Sequence, residues 1–153
     1  MKVKSFEDLQ VWQDSRLLVK SIYEITADGA LSKDFGFKDQ LQRASISIMN
    51  NISEGFERDN NKDFRNFLSY AKGSAGEVRS MLYIALDLNY ISLKQFDELY
   101  SLSIKVITQI SNFKKYLIKY YREDKIKRIK MILFPFLSFI KSWIIVILKL
   151  CND

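Results

Sequence analysis

The residues best equipped to do chemistry lie late in the chain. Lys114, Lys115, Lys119, Arg122, Lys125, Lys127, Arg128 and Lys130 follow one another at short intervals, with Tyr116, Tyr120 and Tyr121 between them. Clustered cations neutralise phosphates and release their counterions, and tyrosine rings stack on unpaired bases, so the chemistry this run suggests is nucleic-acid binding. Two other readings stay open. The run is also what a solvated helix end looks like, where cations suit the helix dipole. It is equally the positive flank of a membrane segment, because Met131 to Leu150 follows at once and has about the length of a spanning helix. Pro135 and Lys141 count against a span, since a lysine near the bilayer centre costs about 2.5 to 3.5 kcal/mol. Packing of this apolar tail as a further helix, or its burial in an oligomer, would equally avoid a large exposed patch.

Catalysis and metal binding find little to stand on. The chain has no histidine, and Cys151 is its only cysteine. That removes a disulfide framework, a zinc site of the Cys/His kind, and the Glu-x-x-His pattern of a di-metal bundle. Glu54, Glu57, Asp59 and Asp63 are close in sequence but gather at a helix end, where caps and the dipole favour acids for structural reasons. The glycine-containing run from Gly73 to Glu77 lies inside a helical pattern, not between a strand and a helix, and so is no phosphate loop. The chain is read as a non-enzyme, with no cofactor and no metal.

The elements that position these residues are helices. Five glycines and one proline in 153 residues, with 48% apolar content, leave too few turns for an all-β fold and supply one real core. The expected architecture is all-α: an up-and-down four-helix bundle over 1–123 with an extra apolar C-terminal helical tail over 124–153. Of the net charge of +6, the first part holds 18 Lys/Arg against 16 Asp/Glu and the tail 6 against 2. A nearly neutral bundle is a weak nucleic-acid binder, so the tail carries that expectation. The first residues are polar and acidic with no apolar run, as in a cytoplasmic protein.

Ser5 and Asp8 resemble a capping box opening a first helix from about Phe6 to Thr26, apolar at Leu9, Trp12, Val19, Ile22 and Tyr23 and again at Val11, Leu18 and Ile25. Asp28, Gly29, Ser32 and Gly36 mark a connection of about ten residues. In the second helix Phe37, Leu41, Ala44, Ile48 and Ile52 face the core. Gln40, Arg43, Ser47, Asn50 and Glu54 form a polar stripe beside them, and the helix stops at Asp59-Asn60-Asn61. The third, about Asn61 to Asn89, has an unbroken apolar face from Phe64 to Leu86. On its other side Ser69, Gly73, Gly76 and Ser80 make a line almost without side chains, either an oligomer interface or an exposed face that tolerates glycine. The fourth begins at Ser92. Its seam of Phe96, Leu99, Ser103, Val106, Ile110, Phe113, Leu117 and Tyr120 alternates three and four residues.

The runs FEDLQVWQDSRLL, RASISIMNNISEGFER and FRNFLSYAKGSAGEV, in that order, resemble the 23S rRNA intervening-sequence proteins over roughly 6–122. The resemblance implies a small helical bundle that assembles into a homopentamer, is encoded in or near ribosomal RNA intervening sequences, and has no established enzymatic activity. A similar group, the accessory proteins of diversity-generating retroelements, shares the bundle and binds nucleic acid. Arg43, Asn51, Glu54, Gly55, Gly73, Ser74 and Glu77 match the family's motif. On that ground Arg43, Glu54 and Glu77 are expected to form a polar network at a subunit contact, the plainer reading of the stripe being a solvated face. The partner classes that follow are further copies of the chain and RNA, with a membrane reached through 131–150 as the other. The functional expectation is an oligomeric bundle tied to RNA or a ribonucleoprotein; the alternative is a scaffold held at the cytoplasmic face of a membrane by its tail.

Overall fold

In a computed structural model, residues 3–58 and 60–150 are described, those at 134–150 by backbone alone. The chain is all-α: α1 (Gln10–Ala27), α2 (Phe35–Glu57), α3 (Asn61–Asp87) and α4 (Leu93–Leu150), with no strand among the described residues. It divides into two compact units, Met1–Lys115 and Tyr116–Asp153, and the division falls inside α4.

Contacts inside the first unit run antiparallel, as an up-and-down order requires. Gln40, Ser47 and Gly55 of α2 meet Glu77, Ser74 and Phe64 of α3, so one helix rises as the other falls. Tyr83 and Phe64 of α3 meet Phe96 and Phe113 of α4 in the same sense. Asp14 of α1 meets Lys105 and Gln109 of α4. Leu18, Ile22, Leu41, Ile48, Ile52, Leu68, Val78, Leu82, Val106 and Ile110, the residues expected at the core from their spacing or lying beside that face, are all fully enclosed. Ala44, Ala71, Ala75 and Ala85 are buried with them, and their short side chains let the helices approach.

The first helix starts later than its capping pattern implies. Phe6–Asp8 is a 3-10 turn, closed by the Asp8 carboxylate, which accepts from the amides of Lys4 and Ser5 at 2.9 and 3.3 Å. Leu9 is then extended (φ −76°, ψ 118°) before α1 begins at Gln10. The connection to α2 is also shorter than ten residues, because Asp34 caps α2 by accepting from the Phe37 amide at 3.1 Å and Gly36 lies inside the helix. The other Asp34 oxygen takes the Tyr90 hydroxyl at 3.1 Å, tying that connection to the one after α3.

The remaining ends follow cap chemistry. Asn60 accepts from the amides of Lys62 and Asp63 and opens α3, as the Asp59-Asn60-Asn61 cluster suggests. After α3 the Tyr90 amide reaches the Ala85 carbonyl at 2.8 Å and the Asn89 amide reaches Leu86 at 2.9 Å. This is a Schellman ending, with Asn89 in the left-handed position (φ 54°) that glycine or asparagine tolerates. A turn this tight sets α4 back along α3.

Candidate nucleic-acid interface

Of the eight expected cations, Lys114 and Lys115 belong to the first unit and the others to the second. Lys114 is already engaged, donating to Ser69 Oγ at 2.6 Å, and Ser69 donates in turn to the Arg65 carbonyl at 2.8 Å.

Within the second unit the side chains of 116–133 are exposed, apart from buried Leu117 and half-buried Asp124. The seam of α4 explains this. Continued at three and four residues past Leu117, it lands on Tyr120, which is exposed although the expected seam includes it, and then on Asp124 and Lys127, which are charged. The six cations here do not share one surface. At 3.6 residues per turn Lys119, Lys127 and Lys130 fall on the same side as Tyr116 and Tyr120, whereas Arg122 and Lys125 fall on the other. Arg128 is paired with Asp124 at 2.8 Å, and Lys119 lies 3.9 Å from Glu123. Both are exposed one-turn pairs of small energetic weight. Tyr116 and Tyr120 stack on each other, their rings 6.3 Å apart and 26° from parallel. This side therefore presents two aromatic rings in line with three cations, one of which, Lys119, faces Glu123 on the same side; rings and cations together are the combination that grips a single strand.

The polar stripe of α2 follows the groove shared with α3. Arg43 Nη2 donates to Gln40 Oε1 at 3.1 Å, Gln40 Nε2 donates to Glu77 Oε1, and Arg43 also faces Asp39 at 3.4 Å. One turn on, the Ser47 and Ser74 hydroxyls lie 2.9 Å apart, and Asn51 Nδ2 donates to the Ser47 carbonyl at 2.7 Å. Glu54 is not brought to Arg43 or Glu77. It takes Arg58 at 2.6 Å, and the Arg58 guanidinium rests over the Phe67 ring, 4.9 Å from its centre. An acid at i with an arginine at i+4 has a nearer partner than one three turns away.

Of the four glycines inside helices of this hairpin, Gly55 differs from Gly73 and Gly76 in what surrounds it. A β-carbon on Gly55 would stand 2.7 Å from Phe67 Cβ and 2.8 Å from Phe64 Cδ2, whereas one on Gly73 or Gly76 would meet nothing within 4 Å. Close backbone approach within the protomer is thus at Gly55, and the line Gly73, Gly76, Ser80 is open in the protomer.

One polar cluster escapes a reading by helical stripe. Asp14 is buried on the core side of α1, between Val11 and Leu18. Its Oδ1 accepts from Lys105 Nζ at 2.9 Å and Gln10 Nε2 at 3.3 Å, and its Oδ2 from Gln109 Nε2 at 2.6 Å. Burial pushes the carboxyl up, but the bonds from Lys105 and Gln109, with the Lys105 charge, outweigh it and hold Asp14 below the ordinary carboxylate range. The available signal was a carboxylate at a core position of α1, with Lys105 and Gln109 one turn apart on α4. Gln109 Oε1 is buried without a hydrogen-bond partner, and Gln109 also lines a groove of about 300 Å³ with Leu9, Gln10, Val11, Asn112 and Phe113. A larger groove of about 340 Å³ between α1 and α4 has Leu17, Glu24, Glu98 and Leu102 in its walls, and Glu24 is paired with Lys20 at 3.7 Å. No group of three or more metal-ligating side chains occurs among the described residues.

Among the described residues no helix is long and apolar enough to cross a membrane. The candidate span at 131–150 falls largely on 134–150, whose side chains lie outside the described residues.

The fold and these surfaces define a small antiparallel four-helix bundle whose α2–α3 hairpin holds most of the distinctive sequence. Residues 7–112 match the family described as 23S rRNA-intervening sequence protein, and the chain belongs to that family. The match lies within the first unit and ends some ten residues before the motif resemblance does. Among solved structures the chain is similar to a protein of unknown function from the S23 ribosomal protein family of Bacteroides thetaiotaomicron. The two are 24% identical with a TM-score of 0.64, over 69% of this chain and 95% of that one, a likeness of fold. No curated protein matches the chain.

Proposed function

We propose that the chain is a non-enzymatic, self-associating bundle that works in the cytoplasm and holds single-stranded RNA along the part of α4 from Tyr116 onward. One observation carries the reading: Tyr116 and Tyr120 are exposed and stacked, with Lys119, Lys127 and Lys130 on the same side of the helix. Phosphates would meet the lysines while bases continue the tyrosine stack. The family's tie to intervening sequences of ribosomal RNA supports RNA as the polymer. The open line of Gly73, Gly76 and Ser80 supports self-association, because a flat helix face lets another backbone come close.

Fluorescence polarisation with a labelled single-stranded RNA over a range of salt tests the RNA reading. Binding is expected to fall with salt by about 0.7 logarithmic units per phosphate contacted. The double change Lys127→Ala and Lys130→Ala is expected to flatten that slope by about 1.4. Replacing Tyr116 and Tyr120 with alanine is expected to cost about 1 to 3 kcal/mol per stacked base with the slope unchanged. No salt-sensitive binding at low ionic strength would end the reading.

A further inference from the structure

The part of α4 from Tyr116 onward has a second side, which the RNA reading leaves unused. Ile118, Ile126, Ile129, Ile132 and Leu133 are all exposed, and at 3.6 residues per turn they fall within about 120° of arc, opposite Tyr116, Tyr120 and Lys127. Arg122 and Lys125 rise from within that same arc, and neither is in an ion pair among the described residues. Between 116 and 133 the sequence has six Lys/Arg against two Asp/Glu. An exposed aliphatic row of this length calls for a cover.

The chemistry of the arc selects among covers. RNA offers phosphates and flat base faces, which suit the lysines and tyrosines but give a row of isoleucines nothing to pack into. A second copy of the helix would supply apolar side chains, yet it would bring Arg122 and Lys125 against like charges. An anionic lipid surface meets both demands. Aliphatic side chains enter the boundary between headgroups and acyl chains, while the stems of Arg122 and Lys125 lie along it and their charges reach lipid phosphates. We propose that residues 118–133 of α4 dock, aliphatic arc inward, on the surface of an anionic phospholipid bilayer. The helix lies on the membrane and does not cross it. Because the arc is opposite the tyrosines, this docking is independent of RNA binding.

Co-sedimentation of the full chain with phosphatidylcholine vesicles, with and without phosphatidylserine, tests the proposal. The expected result is binding that needs phosphatidylserine and weakens with salt. The pair Ile118→Gln and Ile129→Gln should weaken it by about tenfold or more while leaving RNA affinity unchanged. Arg122→Gln and Lys125→Gln should each weaken it by about fivefold. All four positions are exposed, and unchanged circular dichroism would verify that the variants remain folded. Equal binding to neutral vesicles would overturn the proposal, as would full binding by the isoleucine pair, which would assign the affinity to sequence beyond Leu133. No vesicle binding, with a lower solution mass in the isoleucine pair, would make the arc a contact between copies. No vesicle binding, with lost RNA affinity, would make it part of the RNA surface.

Discussion

Asp14 is the residue on which charge and burial meet most directly. Its carboxylate is buried and satisfied by Lys105, Gln109 and Gln10, so replacing it takes the charged acceptor from Gln109 and leaves Lys105, which is exposed, to solvent. Asp14→Asn is expected to cost about 1 to 3 kcal/mol at neutral pH. The pH dependence has a definite sign. Because the carboxyl is held below its ordinary value in the folded chain, its contribution is complete above the unfolded value and is lost as pH falls through the folded one. Urea midpoints should therefore begin to drop below about pH 5 and keep dropping as pH falls beneath the ordinary value of 3.8, and drop less in Asp14→Asn. Equal slopes in the two proteins would show that Asp14 does not set acid stability. The sequence marks this residue only as a carboxylate at a core position of α1; its partners on α4 are 91 and 95 positions away, and helical spacing speaks only for neighbours. Glu54 shows the complementary case: it lies on the same stripe as Arg43, but Arg58, one turn on, captures it.

At the scale of elements, the glycines of α2 and α3 separate what holds a protomer from what is open to another. Gly55→Ala should destabilise the fold by about 1 to 2 kcal/mol, the gain in helix propensity being outweighed by pressure on Phe64 and Phe67. A β-carbon at Gly73 meets nothing within 4 Å, so Gly73→Leu should leave thermal stability intact or raised, while reducing the mass seen by light scattering if the line joins copies. An unchanged mass would remove the self-association reading and leave the glycines as a tolerated outer face. Much of the element plan was legible. Asn60 caps α3 where the polar cluster stands, and the buried face of α3 follows its apolar spacing. The late start of α1 was not, because Ser5 and Asp8 present the same side chains whether the turn they close continues as an α-helix or stops as a 3-10 turn. Arg43, Asn51, Ser74 and Glu77 belong to the polar contacts of the α2–α3 groove, and at Gly55 the side chains of Phe64 and Phe67 leave no room for a β-carbon.

Over the whole molecule, the order of helices was readable from short connections, and the change of character in α4 from its charge. What pattern alone could not supply was how the late cations divide: Lys114 is tied to Ser69, Lys115 belongs to the same unit, and the other six are distributed around the second unit. The Asp14 bonds have a further consequence, for the time course of folding. The α2–α3 hairpin joins residues near in sequence, whereas Asp14 with Lys105 and Gln109 closes a loop through nearly the entire bundle. Local contacts form before distant ones compensate the entropy of closing so long a loop, so this clasp should be absent from the folding transition state. Stopped-flow measurements on Asp14→Asn should then find a folding limb like that of the parent and an unfolding limb shifted to faster rates. The clasp would be a latch, engaged last and released first, governing how long a bundle lasts more than how quickly it is made.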